Sequence, residues 1–159
     1  MTTESGTAGT LHSVTREVRI GAPPEVIWSF LVEPEKVVKW EAAIADLDPR
    51  PGGVMRLDMF GDGTVALGGY RDVQPYERLS FTWGWEGDDS HPPGATLVEI
   101  TLSPDGDDTV VRLEHSQLPT DEAAARHAEG WEHYLERLTI AAPGGDPGPD
   151  PWAEGRQSS

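Results

Sequence analysis

Leu79, Phe81, Trp83 and Trp85 occupy alternate positions, so an extended chain would turn four large apolar side chains to one side. Such a face must be covered. The cover is encoded further along, where Ala124, Ala128, Trp131, Leu135, Leu138 and Ala142 recur at alternating steps of four and three and form one stripe of a long amphipathic helix. The helix is predicted to lie on the sheet.

The remaining elements fit the same plan. Val14, Val18 and Ile20 alternate with polar residues and predict a first strand, after which Ala22-Pro23-Pro24-Glu25 predicts the start of a short helix. Pro34 interrupts that helix, and Glu35 to Trp40 reads as a second short one before a turn cluster at 48–53. From Gly53 to His115 strands alternate with turns: Met55, Leu57 and Met59; Val65 through Val73; Leu79 through Trp85; Val98, Ile100 and Leu102; Val111, Leu113 and His115. Short turns between neighbours predict an antiparallel sheet. The predicted class is α+β, a curved antiparallel sheet wrapped around a long C-terminal helix, with two short helices after strand one. Which of Tyr70 and Arg71 points inward is not fixed by parity.

At 159 residues the chain suits a single domain, expected to span 11–142. Residues 1–10 are small and polar, and 143–159 are dominated by Gly, Pro and Asp, so both are expected to be disordered tails. Trp152 is the exception: an indole there either docks on the domain or stands as an exposed anchor. The absence of cysteine excludes disulfides, thiolate metal sites and cysteine nucleophiles, and suits a reducing compartment. No apolar run approaches the ~20 residues of a spanning helix, and the opening segment has no signal-peptide character, so a cytoplasmic protein is expected. A net charge of −16 makes nucleic acid and anionic membranes poor partners.

Several of these residues also carry a family likeness. Arg16 through Trp28, then Pro34-Glu35 and Trp40, resemble the opening of the SRPBCC, or START-like, helix-grip superfamily. Gly69 through Val73, Pro75, Arg78 through Trp83, Leu113 through Ser116, and Gly130-Trp131 with Leu135 and Leu138 are similar to one branch of it, the C-terminal domain of the heat-shock-protein-90 ATPase activator. The resemblance implies a cavity between the long helix and the sheet. It also implies three functions: binding of a small hydrophobic, lipid-like or amphipathic molecule, a chaperone-associated role in stress response, or cyclase/dehydratase-like chemistry on a polyketide-like substrate. The sequence holds no counterpart of the activator's additional N-terminal domain, which weakens the second.

The ligand-binding candidates are the inward set Trp28, Met55, Leu57, Met59, Phe81, Trp83, Trp85, Trp131 and Leu135, with His115, His127 and Tyr134 as polar groups on or beside the same faces. Read blandly, the apolar members are simply a core. An inward histidine needs either a hydrogen-bond partner or a wet cavity, and a structural role is the better expectation for His115. Arg16 shares the inner parity of β-strand one and should reach the rim, pair with an acid or meet an anionic ligand head, the first two being the better expectation. Glu129, His133 and Arg137 follow at one-turn spacing without a third metal ligand, and Asp105, Asp107 and Asp108 lack a calcium loop's spacing. No metal or cofactor is expected. No P-loop, dinucleotide or serine-nucleophile signature is present. The reading is therefore a non-enzymatic binder of a small hydrophobic ligand, with a protein partner as the rival.

Overall fold

The computed structural model describes residues 12–89 and 92–152. Seven antiparallel strands form one sheet: β1 (His12–Ile20), β2 (Ile44–Leu47), β3 (Val54–Asp58), β4 (Val65–Gln74), β5 (Arg78–Trp83), β6 (Thr96–Asp105) and β7 (Asp108–Leu118). Their spatial order is β1-β7-β6-β5-β4-β3-β2. Strands two to seven thus pair with their chain neighbours, and β1 returns to pair with β7. β2 is an addition to the sequence reading. Its four residues lie at the sheet edge with a half-exposed face, too short and too polar to announce themselves.

Between β1 and β2 run α1 (Pro24–Val32) and the single turn α2 (Pro34–Val37). Pro24 sits in the first turn of α1, where a missing N–H costs nothing, and Pro34 starts α2 in the same way. α2 ends at Val37, before the expected Trp40. The Trp40 indole N–H donates to the Phe30 carbonyl (2.8 Å) and pins the exit of α2 against α1.

The helix α3 (Asp121–Ala141) is capped by Thr120, whose hydroxyl accepts from the Ala123 N–H (3.0 Å), with Asp121 and Glu122 at its positive end. It packs on the inner face of the sheet near β1 and β7. Trp131, Leu135 and Leu138 join Ile20, Leu79, Val98, Ile100, Val111 and Leu113 in the main core. Tyr70 turns inward against Phe81 and Arg71 is exposed, beside a register shift between Tyr70 and Val73.

Beyond α3 the chain runs back along the helix. Arg137, 8% exposed, donates to the carbonyls of Lys39 and Trp40 on one side and of Pro147, Gly148 and Pro149 on the other. Asp150 accepts from the Tyr134 hydroxyl (3.0 Å) and bonds His133 Nε2 (2.9 Å). Trp152 stacks on His133 with ring centroids 3.9 Å apart. The composition of this stretch suggested a free tail; its described part, 143–152, is tied to α3 by one guanidinium and one carboxylate. Replacing Arg137 with Met removes the donor for all five carbonyls and is expected to cost about 2 to 4 kcal/mol. Limited proteolysis of that variant should cut between 143 and 152 well before wild-type protein is cut.

Candidate functional site

The aromatic residues of β5 and α3 meet as their parities require, and most of the space between them is filled. Trp83 and Trp131 lie 5.3 Å apart between centroids, and Trp83 and Trp85 5.5 Å apart at right angles. Deeper in, Met55, Leu57 and Phe81 line a void of only about 20 Å³. The hollow lies to one side. A cavity of about 290 Å³ opens between α3, the β3–β4 turn and the chain around Trp85, walled by Met59, Phe60, Trp83, Trp85, Trp131 and Tyr134. Trp152 forms part of the C-terminal wall, Glu41 lines it from the segment after α2, and Asp88 and exposed Arg126 stand at the rim.

Six sequence candidates therefore share the cavity: Met59, Trp83, Trp85, His127, Trp131 and Tyr134. The others are inside the protein but elsewhere. Trp28 packs edge-on to Tyr76 at 6.3 Å. Met55, Leu57 and Phe81 belong to the packed centre, and Leu135 faces β1, near a shallow groove that includes Arg16 and Glu132. Arg16 itself pairs with Glu132 (2.7 Å). His115 is fully buried one layer behind the cavity, 4.8 Å from the ring of His127.

The histidines are held by indoles. Trp131 Nε1 can only donate, so at 3.0 Å it makes His115 Nδ1 an unprotonated acceptor. The Thr96 hydroxyl donates to the Trp83 carbonyl (2.6 Å) and accepts from His115 Nε2 (2.7 Å). His115 is thus a neutral Nε2–H tautomer. His127 is the mirror case: Nε2 accepts from Trp85 Nε1 (3.2 Å), and Nδ1 donates to the Ala123 carbonyl (2.8 Å). Of the cavity indoles Trp83, Trp85 and Trp131, Trp83 alone has an N–H that is buried without a partner among the described residues.

Glu41 is the residue that sequence reasoning missed. It is 8% exposed, lines both this cavity and the neighbouring hollow beneath residues 145–150, and has no hydrogen-bond or ion-pair partner among the described residues. Burial alone pushes its carboxyl up to about 8, so near neutral pH it carries a proton. Burial, together with Asp150 and Glu41, also holds the Tyr134 phenol far above its usual range. The site thus offers aromatic faces, one uncharged acid, and rings fixed in place by the histidines behind them.

The family model of the activator of Hsp90 ATPase homolog 1-like proteins (AHSA1) matches residues 21–142. The chain belongs to this family. Its α+β helix-grip fold is that of the SRPBCC superfamily. An AHSA1-like protein from Rhizobium etli is 43% identical, over 91% of this chain and 90% of that one, with a TM-score of 0.73. CalU16 from Micromonospora echinospora is 27% identical over 95% of this chain and 87% of its own, with a TM-score of 0.70. DynU16, a putative protein in the dynemicin biosynthetic locus, is 25% identical over 85% of this chain and 48% of its own, with a TM-score of 0.73. No curated protein matches. Of the elements described above, β2 to β7 and α1 to α3 lie within the AHSA1 match. Among the described residues, no helix is long and apolar enough to cross a membrane.

Proposed function

We propose that this AHSA1-like protein binds a small apolar or amphipathic molecule, without transforming it, in the cavity walled by Trp83, Trp85 and Trp131. The observation that carries this reading is the 290 Å³ of space left beside indoles that are otherwise packed, close to the lower bound of about 300 Å³ for ligand pockets. Affinity would come from burying ligand carbon, at about 25 cal/mol per Å² before the costs of association. The histidines favour binding over proton transfer, since both nitrogens of each ring are engaged by protein groups and a general base must be able to reach its substrate.

The test uses 2-naphthol as the probe and tryptophan fluorescence as the readout. Saturable quenching at one probe per chain is expected, and Met59→Trp, which fills the cavity, should abolish it while leaving the fold intact. Absence of saturation, or equal binding by the filled variant, would overturn the proposal. The family description favours one rival, action on a chaperone through the outer surface. Addition of this protein to Hsp90 should leave ATP turnover unchanged if the cavity is the functional site, and a stimulation that survives Met59→Trp would favour the rival.

A further inference from the structure

We propose that the cavity selects an organic cation, an amine or quaternary ammonium on a small apolar body, with Glu41 as its counter-charge and the indoles of Trp83, Trp85 and Trp131 as its cage. This rests on the cavity being a ligand site, and it narrows the ligand's chemistry. Buried carboxylates are ordinarily paired, because leaving one alone in a dry setting costs several kcal/mol, of the order of 1 to 3 even for its neutral form. The Glu41 carboxyl has no partner among the described residues and little solvent, yet the residue lines the cavity. Aromatic faces attract cations through their quadrupoles, most strongly where water is excluded, and a neighbouring carboxylate adds to the attraction.

No other charged group takes the place of such a ligand. Arg137 on α3 is committed to carbonyls and makes no ion pair with Glu41. From the sheet Glu41 faces the neutral phenol of Tyr70, and from α3 that of Tyr134, whose hydroxyl is given to Asp150 in the C-terminal segment. Among the described residues, no lysine lines the cavity and its one cation, Arg126, is exposed at the rim; Lys39, which lines the neighbouring hollow with Glu41, is exposed and makes no ion pair with it. A net charge of −16 raises the local concentration of cations over anions at any such mouth.

The test compares benzyltrimethylammonium with its uncharged carbon isostere neopentylbenzene and with phenylacetate, by calorimetry on wild-type protein. The cation should bind about tenfold tighter than the isostere at pH 7, and phenylacetate should not compete. Because Glu41 must ionise to pair with it, the cation should release about one proton, read as a difference in heat between phosphate and Tris buffers, whereas the isostere should release none. Glu41→Gln should abolish the proton release and lower cation affinity about tenfold without changing isostere affinity. Equal affinity for the two probes, or tight cation binding with no proton release from wild-type protein, would overturn this inference and leave the cavity reading standing. Failure of all three probes to bind would overturn both.

Discussion

Glu41→Gln is expected to stabilise the fold at neutral and alkaline pH, although it alters a buried residue. In the folded protein the carboxyl titrates near 8, against 4.5 when unfolded. Between those values the native state binds a proton that the unfolded chain has lost, so raising the pH favours unfolding. The contribution is absent below about pH 4.5, grows by about 1.4 kcal/mol per pH unit across the window, and levels off above about 8. Wild-type stability in urea should therefore fall from pH 5 to pH 9 more steeply than that of Glu41→Gln, whose amide cannot ionise. The variant should be the more stable of the two by a few kcal/mol at pH 9, and the two should converge near pH 5. Parallel curves would show that the carboxyl is solvated or paired in the folded protein, which would also remove the counter-charge from the cavity.

The second large effect separates two tryptophans of nearly equal burial. Trp83 is 3% and Trp131 4% exposed, so shrinking either indole to a phenyl ring should cost similar packing. Their N–H groups differ. Trp131→Phe strips His115 Nδ1 of its donor in a fully buried setting, whereas Trp83→Phe removes a donor that has no acceptor. Trp131→Phe is therefore expected to be less stable than Trp83→Phe by about 1 to 3 kcal/mol, measured by denaturant unfolding at one pH. Equal losses would mean that the Trp131–His115 bond contributes nothing net.

The two features with strong periods were legible in the sequence. The alternation from Leu79 to Trp83 became β5, and of the stripe from Ala124 to Ala142 the residues Trp131, Leu135, Leu138 and Ala142 are buried, while Ala124 and Ala128 are half-buried. Parity told inside from outside, but an inside position can face any of several volumes. Trp28, Phe81 and Leu135 were rightly read as inward, and yet none of them touches the cavity, because which volume they face is set by how α1, the sheet and α3 come together. Glu41 carried no local signal at all. It follows Trp40 in an irregular segment, and its burial depends on α3, β4 and the C-terminal segment arriving from elsewhere in the chain. The anchoring of 146–152 was hidden for a similar reason. Its composition argues for mobility, while the groups that hold it, His133, Tyr134 and Arg137, lie on α3 and face it only after folding.

The claim on which the function rests is that the space beside Trp83, Trp85 and Trp131 admits a molecule from solution. The chain has six tryptophans, each with one indole N–H resonance, and two of them, Trp28 and Trp40, lie outside the cavity. Titration of ¹⁵N-labelled protein with 2-naphthol should shift the indole signals of Trp83, Trp85, Trp131 and Trp152 along one saturating curve while those of Trp28 and Trp40 stay in place. Signals that do not move, or that move together without saturating, would contradict the account.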